Sequence, residues 1–430
     1  MHDLYLLLAI GTAAVACGVA VLRLLVWNDL GPAAKLATPQ RLLLAAALGS
    51  GVIAFTIKLS VIVALSWATS DGRSLAPKVL PESQDSQQGG SSPIIGHTLW
   101  EPLPLEAPDP PDNLSSPEKV ELGRRLFEDK RLSHDGTIAC ASCHDIAAAA
   151  GADGRPVSIG IAGQKGRRNA PSVFNAAFQA RLFWDGRARS LEDQALGPLT
   201  NPVEMGNADL AAVAARIAAD AVYRDAFAGV FGGVPITIDR IADAIAAFER
   251  SLITPDTPYD RFVRGDVSAL SPQQQRGMAL FESVGCINCH TGPNFSRASV
   301  LSTESGRSGM RGFPIFRTPL VDRYGLAADT GATQGDGAGL WRVPSLRNVA
   351  LTGPWLHNGA VTDLREVVRL MATAQLARVI QDSGPAAAVV EWNSQSRRFS
   401  RYVPATISEV DIADIVAFLH ALTSDRLTPR

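Results

Sequence analysis

Two pentapeptides, Cys140-Ala-Ser-Cys143-His144 and Cys286-Ile-Asn-Cys289-His290, take four of the five cysteines in this chain. Each has the form that bonds a haem vinyl pair through two thioethers and offers its histidine as the proximal iron ligand. A bare Cys-x-x-Cys also serves zinc or a redox disulfide. Two complete boxes, with no cysteine left over outside an apolar segment that holds Cys17, favour two covalent haem c groups. The chain is read as a redox protein.

At 430 residues there is room for two or three domains. Lys and Arg number 40 against 42 Asp and Glu, a formal charge of -2, which argues against nucleic acid as a partner. Bacterial haem attachment happens outside the cytoplasmic membrane, so the boxes imply a periplasmic domain.

The first 70 residues suit a different solvent. Residues 4–27 are almost uninterrupted hydrocarbon, with Arg23 near the end, and 42–68 form a second run broken by Lys58. A span needs about 20 apolar residues, and both runs suffice. Arg23, Lys35 and Arg41 make the short loop between them cytoplasmic. Two crossings then return the chain to the periplasm, as haem attachment requires. A cleaved signal peptide competes for the first run, but only His2 and Asp3 precede it, so a basic start is missing. Ala14-Val-Ala-Cys17 resembles a lipoprotein cleavage box only faintly. For Lys58, snorkelling or pairing with a neighbouring helix is set against a functional buried charge.

Residues 71–114 are rich in Pro, Ser, Gly and Gln without periodicity, the composition of an extended tether. An internal repeat follows. Gly123-Arg-Arg-Leu126-Phe127-Glu128 precedes the first box and Gly277-Met-Ala-Leu280-Phe281-Glu282 the second. Each opens with an N-cap serine and a proline, Ser116-Pro117 and Ser271-Pro272, and Gln274 completes a capping box. Ile241 to Phe248 and Ile412 to Phe418 match as closing helices. The expected fold is mainly α: two cytochrome c-like haem domains preceded by two transmembrane helices. The expected organisation is an anchor over 1–70, a tether over 71–114, an N-terminal haem domain over 115–265 and a C-terminal one over 266–430.

Function turns on the sixth iron position. A methionine opposite the histidine gives an electron-transfer haem, whereas an open site can bind peroxide. Met310 and Met371 both follow the second box, and either could equally be a core side chain.

Several ordered stretches carry a resemblance: Ser158-Ile-Gly160, Arg168-Asn-Ala-Pro171, Phe183-Trp184-Asp-Gly-Arg187-Ala, Leu252-Ile-Thr-Pro-Asp256 and Leu346-Arg-Asn-Val-Ala-Leu351. From about Ser116 to Leu422 the sequence resembles the bacterial diheme cytochrome c peroxidases, relatives of the methylamine-utilisation diheme enzymes. The resemblance implies that the haem held by His144 is peroxidatic. It carries over a distal glutamine and glutamate as Gln194 and Glu204. A carboxylate there can shuttle a proton between the two peroxide oxygens, and an amide can orient the substrate; outside that context Glu204 reads as a surface carboxylate. The family's methionine, fourteen residues after a histidine, falls on Met371 after His357, where the methylamine-utilisation enzymes place tyrosine. Trp184 matches a tryptophan between the haems, an electron relay, though a buried indole also simply packs. Asn169, with the main-chain oxygens of Thr352 and Pro354, matches a calcium site, and oxygen ligands suit that hard cation.

One departure is visible. Many relatives carry a histidine shortly after Ser-Ile-Gly that plugs the peroxidatic iron at rest; this chain has Ile161, which cannot ligate iron, and His134 is the sole nearby substitute. The expected activity is reduction of hydrogen peroxide to water by a bacterial inner-membrane enzyme, with electrons from a small periplasmic c-type cytochrome or cupredoxin and a possible homodimeric state. The alternatives are a diheme enzyme that oxidises a protein or organic substrate, and a non-enzymatic diheme electron carrier or sensor.

Overall fold

A helix that crosses a second helix at a glycine occurs twice, once in each half of the chain. The computed structural model describes residues 100–302, 309–332, 339–381, 392–393, 398–399 and 406–427. In the first half, α1 (Pro117–Phe127) is followed by α2 (Leu191–Thr200), α3 (Leu210–Ala218), α4 (Ala221–Phe231) and α5 (Ile238–Ser251). In the second, α6 (Pro258–Val263), α7 (Pro272–Val284), α8 (Pro319–Arg323), α9 (Leu364–Leu370) and α10 (Glu409–His420) follow. Ser116 caps α1 and Ser271 with Gln274 forms the capping box of α7, as the sequence predicts.

At the first crossing, a Cβ on Gly123 would lie 1.9 Å from the Ala244 carbonyl oxygen and 2.9 Å from Phe248 Cβ. At the second, a Cβ on Gly277 would lie 1.9 Å from the Asp414 oxygen and 2.9 Å from Phe418 Cβ. Only glycine lets the backbones approach so closely, so α1 packs on α5 and α7 on α10 in the same way.

Strand is scarce. Among the described residues, β1 (Met310–Gly312) pairs antiparallel with β2 (Leu340–Arg342), β3 (Val379–Gln381) pairs parallel with β6 (Thr406–Ser408), and β4 (Trp392–Asn393) pairs antiparallel with β5 (Arg398–Phe399).

The duplication extends beyond the helices. Asn175 and Asn348 are both left-handed, at φ 60° and 59°, and each starts a 3-10 turn. Their side chains both donate to Thr254 Oγ1, at 2.8 and 3.1 Å, so one buried threonine joins equivalent points of the two halves. Next comes a hairpin: Leu182 bridges Ala188, and Trp355 bridges Val361. Within it Phe183 and Leu356 hold positive φ, at 60° and 71°. Counting from these bridges, Trp184 and His357 occupy the same place. The helix that follows is α2 in one half and α9 in the other.

Two expected boundaries move. Residues 100–113, assigned by composition to the tether, are packed: Trp100 is 1% exposed and meets Phe418 edge to face at 5.9 Å. Leu103 N donates to Asp260, and buried Asn113 donates to Glu192 and to the Asp243 carbonyl. The Pro-rich segment is held mainly by side chains of the domains, and averaged composition hides the apolar anchors Trp100 and Leu103. Tyr259, Phe262 and Val263 of α6 pack in the core of the second half, so that half starts before residue 266. The expected spans at 4–27 and 42–68 lie outside the described residues; among described helices none is long and apolar enough to cross a membrane.

Candidate haem sites and the path between them

Each Cys-x-x-Cys-His box is one turn of 3-10 helix, Cys140–Ser142 and Cys286–Asn288. The histidine N–H closes the turn on the first cysteine's carbonyl, at 3.0 Å in both boxes. All four cysteines are free thiols, and among the described residues no group of three His, Cys, Asp or Glu could hold a metal ion.

The two histidines are prepared alike. His144 Nδ1 lies 3.2 Å from the Gly151 carbonyl, and His290 Nδ1 lies 3.1 Å from the Phe295 carbonyl. An Nδ1–H donated to a carbonyl fixes the tautomer and leaves Nε2 as the free lone pair. Burial keeps both rings neutral, pulling His144 below its usual value and His290 down to about 4. Burial likewise pushes the Cys140 and Cys286 thiols up to about 12. An apolar seat, paired thiols and a pinned neutral imidazole fit covalently held haem on both boxes.

On the first half, Glu204 accepts from Asn201 Nδ2 at 2.7 Å. Burial raises its pKa, against the Arg187 charge and the Asn201 bond. It also lies within electrostatic reach of the Cys143 thiol, whose pKa is raised first by burial and in part by Glu204. Gln194 lies half-buried in α2 and its amide makes no hydrogen bond among the described residues.

Ile161 begins a 3-10 turn laid along the Glu204 loop: its N–H donates to the Glu204 carbonyl at 3.0 Å. Its δ-methyl lies 2.1 Å from where a Cβ on Gly206 would stand, so its side chain packs on that loop.

On the second half, α9 runs directly into a π-turn, Met371–Gln375, with Met371 first. Such turns widen a helix and recur at functional positions. Met310 is buried in β1, with its sulfur 2.5 Å from where a Cβ on Gly186 would be. The equivalence of α2 and α9 bears on the axial position: Met371 is seven residues after Leu364, and seven after Leu191 stands Pro198. One half presents a thioether there and the other a ring with no ligand atom.

Trp184 joins the halves. Its indole N–H donates to the Asn169 carbonyl at 2.9 Å, and it packs against the apolar cluster that Met371 also touches. Its ring meets His357, which stacks on Trp341 at 4.1 Å and 18°. The Asn169 N–H in turn donates to the His357 carbonyl at 2.8 Å. Asn169 Nδ2 donates to the Arg155 carbonyl, which leaves Oδ1 available, and His357, which accepts from the Asn169 main chain, is three residues after Pro354 in sequence. Sequence reasoning named Trp184 but missed His357 as its counterpart. The signal was present in Phe-Trp-Asp-Gly against Leu-His-Asn-Gly.

Comparison with known proteins agrees with this geometry. Residues 117–268 match the family described as di-haem cytochrome c peroxidase. The chain is 36% identical over 333 residues to the cytochrome c551 peroxidase of Pseudomonas aeruginosa, covering 76% of this chain and 84% of that one. It is 30% identical over 354 residues to the methylamine utilization protein MauG of Methylophilus methylotrophus, covering 78% and 94%. A crystal structure of a MauG-like protein associated with microbial copper homeostasis superposes with a TM-score of 0.60 at 35% identity, covering 76% of this chain and 95% of that one. This chain belongs to the di-haem cytochrome c peroxidase family.

Proposed function

We propose that the protein reduces hydrogen peroxide to water with electrons delivered singly by a small periplasmic c-type cytochrome or cupredoxin. The observation that carries this reading is the inequality of the halves: Met371 in one, Pro198 at the same helix position in the other, with the half-buried carboxylate of Glu204 near Cys143 of the first box. Cys140, Cys143 and His144 would hold one haem, and Cys286, Cys289, His290 and Met371 the second. The iron supplies, when bound, a site for peroxide and a store for single electrons.

The chain's own residues do the rest. Glu204, ionised, takes a proton from one peroxide oxygen and returns it to the departing one, and Gln194 orients the substrate. Trp184, touching both halves, relays electrons. Two electrons and two protons turn one peroxide into two waters. Asn169 Oδ1 with the Thr352 and Pro354 carbonyls would hold calcium at the junction, an oxygen-only set that suits it. The runs at 4–27 and 42–68 would anchor the protein in the inner membrane with its haem domains in the periplasm, where homodimers are compatible with the tether.

The test is peroxide-dependent oxidation of a reduced c-type cytochrome by the haem-loaded full chain. Slow peroxide consumption that the reduced cytochrome does not accelerate would overturn the reading. It would favour oxidation of a protein or organic substrate, which relatives named for methylamine utilization keep in view. No reaction at all would leave electron carriage.

A further inference from the structure

Three arginines are buried among the described residues: Arg250, Arg342 and Arg347. Two of them have carboxylate partners. Arg347 grips Asp260 with two nitrogens, at 2.6 and 2.9 Å, and Arg250 pairs with Glu192. Arg342 has none. It is 5% exposed, and burial alone moves its pKa, down to about 10, with no acidic group near enough to counter it. Its Nε donates to the Phe183 carbonyl at 3.0 Å, and the two terminal nitrogens make no hydrogen bond among the described residues. A guanidinium so largely removed from water and without an anion is unfavourable, and its two unbonded nitrogens call for a negative group.

The surroundings say which one. Arg342 ends β2, and its main-chain N–H donates to the Trp184 carbonyl at 2.8 Å. The next residue, Val343, has its carbonyl bonded by Ser296 Oγ at 2.7 Å, in the loop just after His290. One further on, the Pro344 carbonyl approaches the His290 ring itself. Arg342 therefore stands between the second haem box and the Trp184 hairpin.

We infer that Arg342 binds a carboxylate side arm of the haem held by His290, through its two free terminal N–H groups, and so fixes the carboxylate-bearing edge of that haem toward Trp184. With Nε already committed to Phe183, the remaining pair presents the parallel fork that matches a carboxylate. The charge favours the reduced state of that haem, which helps it accept electrons before passing them through Trp184. The inference rests on the two-haem reading above.

The test compares the haem-loaded full chain with Arg342→Gln and Arg342→Lys, titrating each haem's midpoint potential between pH 5 and 9. Arg342→Gln should favour the oxidised form of the His290 haem about ten-fold more than in the parent, a fall of about 59 mV for one electron. It should also make that potential pH-dependent, because the released carboxylate now titrates. The His144 haem should stay where it is, and Arg342→Lys should recover most of the potential. Equal shifts in both haems, or none, overturn the inference, as does a parent potential that follows added acetate, which would make the anion a solvent ion. If Arg342→Gln does not fold, the resonance Raman bending band of the haem carboxylate in Arg342→Lys decides: it should move, and an unmoved band overturns the inference. A protein with fewer than two haems by pigment assay would instead sink the two-haem reading.

Discussion

Trp184 and His357 stand at the same position of two copies of one hairpin, and their rings meet edge to face with centroids 6.4 Å apart at 75°. Duplication has thus brought an indole from one half against an imidazole from the other at the junction. Burial holds the His357 ring neutral, near 4, and its Nε2 is without a partner. The pair leaves the indole as the oxidisable member. Replacing Trp184 with Phe keeps an aromatic volume but removes the easily oxidised ring and its bond to Asn169. We expect turnover to fall roughly ten-fold, equivalent to about 1.4 kcal/mol on the barrier, with both haem spectra retained. Unchanged turnover in stopped-flow assays would reduce Trp184 to packing.

Glu204 gives a pH prediction with a defined sign. Burial raises its pKa above the usual 4.5, so the ionised form that accepts a proton is lost as pH falls through a value higher than that of a free glutamate. The acid limb of kcat/KM should therefore lie above 4.5. Arg187 opposes the shift, and Arg187→Gln should move that limb upward. Glu204→Gln should cost roughly 10²–10⁴ in kcat while haem content is preserved. Full activity in that variant refutes the shuttle.

Much of this architecture was legible because repetition was written into short strings. The shared Gly-x-x-Leu-Phe-Glu hexapeptide announced two equivalent helices, and capping serines fixed where they start. What the strings did not show was the reason for the glycine, a carbonyl 1.9 Å from a missing Cβ. That contact joins residues more than a hundred positions apart. Trp100 was unreadable for a related reason: one apolar side chain in a proline-rich segment has no periodicity, yet it fills the aromatic centre of a core formed far downstream. Met371 could be favoured over Met310 only by resemblance. The structure adds an argument of its own, the matching place of Pro198.

The resting state follows from Ile161 and Pro198. Neither has an atom that binds iron, and Ile161 is packed against the Gly206 loop. The oxidised protein should show one haem without a protein ligand on its open face, and it should react with peroxide before any reduction. Electron paramagnetic resonance reads this directly: two low-spin signals with protein ligands on every face would contradict it, and His134 would then be the first residue to replace.

The helix crossings predict a stability effect. Gly277→Ala drives a methyl into the Asp414 carbonyl, so α7 and α10 must separate across a close-packed core. Overpacking of this kind costs about 1–3 kcal/mol or more. Gly123→Ala should do the same to α1 and α5. A denaturation midpoint unchanged in both variants would mean that the backbones can part freely.

Glu249 on α5 offers a different dependence on pH. Its side chain is buried, one carboxylate oxygen has no partner, and burial raises its pKa to about 8 despite Arg250 beside it, with Glu192 adding to the rise. The carboxyl is therefore neutral in the folded protein. Below 4.5, the ordinary value, folded and unfolded chains are both protonated there and this group's stabilisation is complete. Between 4.5 and about 8 the unfolded chain ionises while the folded one does not, so stability is lost as pH rises and levels off above that window. At about 1.4 kcal/mol per unit, the loss amounts to a few kcal/mol. Glu249→Gln removes it: guanidinium denaturation of the haem-loaded protein should find the variant close to the parent at pH 4.5 and more stable at pH 8. Stability curves that run parallel across that range would show that Glu249 is ionised in the fold, paired with Arg250 after all.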